Sequence, residues 1–218
     1  MVHLKSVARY LKGAPRRALH YPAQEPNDAD IIVHVDSDWA GDPVSRRSTT
    51  GVILRRGRHL LRHSSTVQNV IGLSSAESEY YALTKGGCSG LGLQSHLADW
   101  GLQLQLTLYT DSSSARAVAA RRGVGKNTRH IQTRLLWLQE RLAAKHLRVL
   151  KVATEDNPAD LLTKALPGAK AEGFCEAVGQ AEPRGCGQPR SGGLTRPEAK
   201  GAVSPAPELL RRRWGGVL

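Results

Sequence analysis

The chain has 218 residues, with 31 lysines and arginines against 19 acidic residues, and a formal net charge of +12. This excess favours a polyanionic partner such as nucleic acid, although a basic tail on an unrelated domain would give the same total. Three cysteines without metal-like spacing argue against a disulfide framework, and the sequence contains neither a signal-peptide core nor a run of roughly 18 apolar residues. We therefore expect an intracellular protein that is neither secreted nor inserted in a membrane.

The composition divides the chain into three parts. Residues 1–29 combine a short helix, predicted from apolar residues at helical spacing, with a linker interrupted by prolines. Residues 30–167 carry the regular apolar patterns of a folded domain. Residues 168–218 are rich in Gly, Pro, Ala and Arg, so we expect a basic, disordered tail that does not pack on the domain.

Strand and helix patterns follow one another along residues 30–167. The first strand is apolar at nearly every position, as a central strand would be, and the next two flank a turn and suggest a hairpin. In chain order, the predicted elements are strands 31–35, 50–55 and 59–64, helix 75–100, strand 104–110, helices 113–121 and 128–145, strand 147–152 and helix 158–166. This order predicts an α/β fold in which helices pack on a sheet.

Four acidic residues fall at the ends of these strands or at the starts of these helices. Asp36 ends the first strand, Glu79 lies in the first turns of the long helix, Asp111 ends a later strand, and Asp160 begins the last helix. Capping or helix-dipole roles are the alternative explanation for Asp111 and Asp160. Carboxylates sharing one cleft would suit Mg²⁺, a hard cation that prefers oxygen ligands.

Glu77 and Glu79 both lie near the start of the long helix, but only Glu77 has an evident structural role. Ser74 and Glu77 have the spacing of a capping box, in which each side chain bonds a backbone amide at the helix start. Glu79 lies beyond the amides that need a cap. Glu79 is therefore the better candidate for chemistry.

Six short motifs occur in a fixed order along the middle of the chain. They are Asp36–Asp42, Arg46–Gly51, Leu73–Tyr80, Tyr109–Asp111, Arg129–Ile131 and Asp160–Lys164. This series resembles the ribonuclease H domain of copia-type retrotransposon Pol polyproteins over about residues 30–167. Residues 4–13 also resemble the segment that joins the reverse transcriptase to this domain.

The resemblance implies a ribonuclease H-like fold, with a mixed five-stranded sheet and helices packed on its faces. It implies an endoribonuclease that hydrolyses the RNA strand of RNA–DNA hybrids by two-metal catalysis during retrotransposon reverse transcription. Asp36, Glu79, Asp111 and Asp160 would be the catalytic and metal-binding residues, holding two Mg²⁺ ions for which Mn²⁺ could substitute. The implied partners are the hybrid and the reverse transcriptase domain of the same polyprotein, in a cytoplasmic virus-like particle or the nucleus.

Basic and polar residues near the predicted cleft are candidates for binding the hybrid. Arginine clusters would position a duplex through its phosphates, and hydroxyl or amide donors would contact the 2′-hydroxyls that distinguish RNA. The alternative is an ordinary solvated surface. The candidates are Arg46, Arg47, Arg56, Arg58, Ser112, Arg121, Arg122, Lys126 and Asn127.

Two other functions compete with a ribonuclease. One is a catalytically silent, element-derived module that binds hybrids without cutting them, against which the presence of all four acids counts. The other is a transposase-like or integrase-like nuclease, which is disfavoured by the order Asp, Glu, Asp, Asp along the chain. No motif resembles a polymerase palm, so we expect no polymerase activity from this chain alone. The loop before Asp160 also lacks the histidine that many ribonucleases H carry there.

Overall fold

The chain forms strands and helices, in a computed structural model that describes residues 2–21, 30–123, 125, 129–131 and 135–181. Within these residues the strands are β1 (Ala18–Leu19), β2 (Ile31–Ser37), β3 (Thr49–Arg56), β4 (His59–Val67), β5 (Leu106–Thr110), β6 (Leu147–Lys151) and β7 (Gln180–Ala181). The helices are α1 (Val2–Gly13), α2 (Ser75–Asp99), α3 (Ser113–Ala120), α4 (Trp137–Ala143) and α5 (Gly168–Ala177), with 3₁₀ helices at Thr154–Asp156 and Pro158–Leu162.

The main sheet has five strands in the order β4–β3–β2–β5–β6. Strands β2, β3 and β4 are antiparallel neighbours, whereas β2, β5 and β6 run parallel. Strand β2 is central and almost wholly buried because its apolar residues face protein on both sides. The predicted mixed five-stranded sheet is confirmed.

Helix α2 packs closely against one face of this sheet. A methyl group added at Gly86 would lie 2.5 Å from Val35 Cγ1, and one added at Gly90 would lie 2.6 Å from Leu106 Cδ1. These glycines are one helical turn apart, so they let the helix backbone approach β2 and β5. The helix thereby brings its first turns beside the end of β2.

The opposite face of the sheet is covered partly by residues that we expected to lie in the tail. Ile53 of β3 packs there with Leu60 and Val178, while its neighbours in β3 face the α2 side. Phe174 of α5 is buried, and β7 pairs with β1 in antiparallel register. The domain therefore extends beyond the predicted boundary at residue 167 and includes residues 168–181. The sequence did not indicate this, because these residues are rich in Gly and contain few apolar residues. Residues 182–218 lie outside the described part.

Two other predicted elements differ from the structure. The helix expected over 128–145 is wrong in its bounds: residues 129–131 form a turn, and α4 covers only Trp137–Ala143, while residues 128 and 132–134 are outside the described ranges. The closing helix expected over 158–166 is a shorter 3₁₀ helix. Helix α1 forms as predicted, and its residues 4–13 are exposed. None of the described helices combines the length and apolar character needed to span a bilayer.

Candidate active site

Three of the four predicted acids meet at one edge of the sheet. Asp36 lies near the end of β2, and Asp111 directly follows β5, the parallel neighbour of β2. Glu79 reaches the same point from the second turn of α2. One carboxylate oxygen from each of the three residues lies within 4.8 Å of the other two. This spacing suits a single shared cation.

Asp160 joins the cluster because its 3₁₀ helix is anchored to the central strands. Asn157 caps that helix by accepting from Ala159 N at 3.3 Å, and its Nδ2 donates to Val35 O at 3.0 Å. Gly51, the partner of Asp36 across β2 and β3, leaves room for this approach, because a methyl group there would lie 2.8 Å from Ala159 O. The predicted cap by Asn157 is confirmed, whereas its bond to β2 was not foreseen.

Lys164 lies between Asp36 and Asp160. Its Nζ donates to Asp36 Oδ1 at 3.1 Å and to Asp160 Oδ1 at 2.8 Å. Thr163 Oγ1 donates to the other oxygen of Asp36, and Lys170 Nζ lies 3.5 Å from Asp160 Oδ2. We assigned no role to these three residues from the sequence, although the four-residue spacing of Asp160 and Lys164 was a visible signal for an ion pair.

Burial makes the carboxylates of Asp36 and Glu79 hard to ionise. Asp36 is 0% exposed, and burial raises its pKa despite hydrogen bonds from Thr163 and Lys164. Glu79 is 8% exposed, and its pKa is raised to about 8 by burial and by the charges of Asp36 and Asp111. Burial disfavours the charge of Lys164 too, but Asp160 and Asp36 outweigh it and raise the lysine pKa.

The two oxygens of Glu79 have different surroundings. Oε1 accepts from Ser37 N at 3.1 Å, which orients the carboxylate towards the end of β2. Oε2 is buried and has no hydrogen-bond partner among the residues that the structure describes. A buried carboxylate oxygen without a partner is costly unless it binds a proton or a cation. The donor set therefore fits a hard metal ion, which would coordinate this oxygen together with Asp36 and Asp111.

Glu77 has the structural role expected for it. Ser74 Oγ accepts from Glu77 N at 3.2 Å, and Glu77 Oε2 accepts from Leu73 N at 2.9 Å, one residue before the expected amide of Ser74. His130 Nε2 lies 2.8 Å from Glu77 Oε2, and Tyr81 donates to Oε1. Burial opposes ionisation of Glu77, but these hydrogen bonds hold its pKa below the ordinary value.

A buried glutamine supports the cluster from behind. Gln68 Nε2 lies 3.2 Å from Ser37 Oγ, 2.9 Å from Thr50 Oγ1 and 2.9 Å from Ser78 O. It thus ties together the ends of β2 and β3 and the start of α2. Nothing in the sequence marked this residue, because its three partners are distant along the chain.

The structure places the predicted hybrid-binding residues in different regions. Arg46 and Arg47 are exposed in the turn that follows Asp36. Arg56 pairs with Ile31 at the opposite end of β2 from Asp36. Five residues of strand separate Ile31 from Asp36, which corresponds to roughly 17 Å. Arg58 lies beyond Arg56, in the hairpin turn. Our expectation that all the arginine clusters flank the acids is therefore wrong for Arg56 and Arg58.

The remaining candidates lie around helix α3. Ser112 caps α3 by accepting from Ala115 N at 3.1 Å. Arg121, just after α3, helps to line a cavity of about 340 Å³ together with Ser74 and Ser114 from the starts of α2 and α3. Arg122 is exposed. Lys126 and Asn127 lie outside the described residues.

Comparisons with known proteins place this geometry in context. No protein-family model matches the chain. The retrovirus-related Pol polyprotein from transposon TNT 1-94 of Nicotiana tabacum is 34% identical over 177 residues, covering 81% of this chain and 13% of that protein. The Pol polyprotein from transposon RE2 of Arabidopsis thaliana is 30% identical over 187 residues, covering 84% of this chain and 13% of that protein. The solved structure of LC11-RNase H1 in complex with RNA/DNA hybrid is 20% identical, covers 62% of this chain and 94% of that chain, and has a TM-score of 0.43.

The two polyproteins are similar to this chain along most of its length, whereas the chain spans only 13% of each of them. This similarity confirms the resemblance drawn from the six motifs. The mixed five-stranded sheet agrees with the fold that the resemblance implied. The chain is therefore homologous to one segment of the retrovirus-related Pol polyproteins of copia-type transposons, and its fold is ribonuclease H-like.

Proposed function

We propose that this chain is a metal-dependent endoribonuclease that hydrolyses the RNA strand of RNA–DNA hybrids during reverse transcription of a retrotransposon. The observation that carries the proposal is the buried, unpartnered Oε2 of Glu79, next to the carboxylates of Asp36 and Asp111. Three acids at such close range repel one another unless a cation or a proton lies between them. The choice of an RNA–DNA hybrid as substrate is supported by homology to Pol polyproteins whose names describe them as retrovirus-related.

Mg²⁺ is the cation that we expect, with Mn²⁺ as a possible substitute. The side chains available are all carboxylates, and Mg²⁺ binds through a few carboxylates plus water and substrate phosphate. Asp36, Glu79 and Asp111 would hold one ion. A second ion between Asp36 and Asp160 would displace the Lys164 ammonium, which donates to both carboxylates. Bound as a pair, such ions activate a water molecule and stabilise the leaving oxygen of the phosphodiester.

The other residues of the site would hold the carboxylates and the substrate. Ser37 N orients Glu79, while Thr163 and Lys164 hold Asp36. Exposed Arg46 and Arg47, in the turn after Asp36, would contact phosphates without reading the bases. The reverse transcriptase of the same polyprotein would be the protein partner, in a virus-like particle or the nucleus.

Cleavage of matched substrates tests the proposal. The full chain is incubated with an RNA–DNA hybrid, the corresponding DNA duplex and the RNA strand alone, each with Mg²⁺ or with EDTA. We expect cleavage of the hybrid only, in its RNA strand and only with metal. Asp111→Asn should abolish it, whereas Asp99→Asn should leave it intact, because Asp99 is exposed at the other end of α2.

Three outcomes would contradict the proposal. Binding of the hybrid without cleavage would indicate a silent binding module. Cleavage of the DNA duplex would indicate a transposase-like nuclease. Hybrid cleavage by Asp111→Asn at the wild-type rate would show that this carboxylate does not hold an essential metal ion.

A further inference from the structure

Trp39 is an exposed tryptophan at the edge of the acid cluster. Its side chain is 54% exposed, although it lies only three residues after the buried Asp36. Its Nε1 donates to Gly72 O at 3.0 Å. A methyl group added at Gly72 would lie 3.3 Å from Ser78 N, so Gly72 is adjacent to the turn of α2 that carries Glu79. Trp39 therefore links the two segments that supply Asp36 and Glu79.

The hydrogen bond holds the indole in one orientation while leaving much of it open to solvent. The neighbours of Gly72 are exposed as well, Ile71 by 54% and Leu73 by 68%. Trp39, Ile71 and Leu73 together form what we call the rim patch. Large apolar side chains gathered at one exposed place commonly mark a binding surface.

The loop that carries Trp39 also presents two positive charges and has a fixed shape. Ala40 N donates to Ser48 Oγ at 3.0 Å, and Asp42 N donates to Arg47 O at 3.2 Å. Ala40 and Arg46 adopt left-handed backbone conformations, with φ of 53° and 56°, which residues other than glycine rarely adopt. The loop bonds hold this strained shape, and Arg46 and Arg47 are exposed in the same loop as Trp39.

We propose that Trp39 is a substrate-contact residue whose exposed indole packs against the RNA–DNA hybrid, with Arg46 and Arg47 on the neighbouring phosphates. An aromatic face beside guanidinium groups is the combination that binds nucleic-acid strands without regard to base sequence. The hybrid is favoured over a protein partner by charge, because its phosphates complement the guanidinium groups of Arg46 and Arg47. The inference rests on the proposed function, since it takes the hybrid as the ligand of the adjacent acids.

Trp100 provides a matched control for the test. It is 69% exposed and caps the C-terminal end of α2, whereas the rim patch adjoins the N-terminal end. The 25 residues of α2 separate the two ends by roughly 37 Å. Binding of a short, fluorescently labelled RNA–DNA hybrid to the full chain is measured by anisotropy in EDTA, where no cleavage is expected, over a range of salt concentrations.

Trp39→Ala should weaken hybrid binding by about fivefold, which is the lower end of the cost of removing an aromatic side chain that stacks on single-stranded nucleic acid. Trp100→Ala should change it by less than about twofold, and Trp39→Phe, which keeps an aromatic face, should recover most of the loss. Because the lost contact is apolar, Trp39→Ala should leave the dependence on salt unchanged. Replacing both Arg46 and Arg47 with glutamine should instead reduce the salt slope by about two, one for each lost phosphate contact.

Several results would overturn the inference. Equal affinities of Trp39→Ala and Trp100→Ala would show that the hybrid does not contact Trp39. If Trp39→Ala and Trp39→Phe lost affinity only in proportion to their loss of thermal midpoint, Trp39 would have a structural role instead. Because binding is measured without metal, weaker binding by Trp39→Ala would still support the contact even if the wild type cleaved nothing. If the wild type cleaved the hybrid but Trp39→Ala bound it as tightly as the wild type does, the contact with Trp39 would be refuted. The proposed function would not be affected.

Discussion

Replacing Glu79 with glutamine should change how the stability of the metal-free protein depends on pH. The folded-state pKa of Glu79 is about 8, against an ordinary value of 4.5. The folded state therefore binds this proton more tightly than the unfolded chain does. Its contribution to the free energy of unfolding is complete below pH 4.5 and is lost as the pH rises towards 8.

The size of the effect follows from the same two values. At pH 7 the free energy of unfolding has lost about 3 kcal/mol of this contribution. The reason is that pH 7 lies 2.5 units above the ordinary pKa of 4.5, and each unit corresponds to about 1.4 kcal/mol. For a domain of this size, that is roughly 6–12 °C in thermal midpoint. Glutamine has no proton to lose, and its amide oxygen can still accept from Ser37 N. The stability of Glu79→Gln should therefore fall less as the pH rises than that of the wild type does. The contribution of Asp36 to the pH dependence remains in both proteins.

Thermal unfolding in EDTA, from pH 5 to pH 8, is the assay, repeated with Mg²⁺ at each pH. In Mg²⁺ the wild type should regain its lost stability, because the ion binds the ionised carboxylates of the folded state, and Glu79→Gln should gain less. Glu77→Gln is the control: hydrogen bonds hold the pKa of Glu77 low, so this variant should be destabilised at pH 7. Parallel curves for wild type and Glu79→Gln in EDTA would refute the reasoning.

Three further predictions concern the site and the edge of the domain. Asp111→Asn should not lower the thermal midpoint in EDTA, because it relieves repulsion among the acids. It should cancel most of the gain in thermal midpoint that Mg²⁺ gives the wild type. A gain equal to that of the wild type would contradict the assignment of Asp111 as a metal ligand. Gly51→Ala puts a methyl group 2.8 Å from Ala159 O, so urea unfolding should show a loss of about 1–3 kcal/mol and hybrid cleavage should fall as Asp160 is displaced. If Gly51→Ala had the wild-type free energy of unfolding and the wild-type cleavage rate, the 3₁₀ helix would accommodate the methyl group without loss of stability or activity. A chain ending at residue 167 loses the buried Phe174 and Val178 and should melt well below one ending at residue 181, whereas equal midpoints would show that α5 does not stabilise the domain.

The predicted strands and the long helix were confirmed because their apolar patterns are local. Strand β2 is apolar at nearly every position, and the start of α2 is marked by Ser74 and Glu77 at capping distance along the chain. The distinction between Glu77 and Glu79 was also available locally, because only Glu77 is within reach of the free amides at the helix start. The structure agrees: both carboxylate oxygens of Glu77 accept hydrogen bonds, and one oxygen of Glu79 has no partner within the described part of the chain.

The tail was misjudged because its composition hides a short amphipathic pattern. Phe174 and Val178 lie four residues apart among glycines and alanines, too few to predict a helix. Val178 becomes buried because β3 and β4 present Ile53 and Leu60 on the uncovered face of the sheet. Such a contact depends on which face of the sheet is open, and a single sequence does not contain that information.

What the sequence determined by itself was the order of the elements, the position of each acid at a strand end or helix start, and the family resemblance carried by six motifs. These features depend on residues close together along the chain. Only the tertiary structure decided that Asp36, Glu79 and Asp111 converge, that Lys164 lies between Asp36 and Asp160, and that Arg56 lies at the far end of the sheet. Those relations depend on strand order and register, which are set by packing between segments that are distant along the chain.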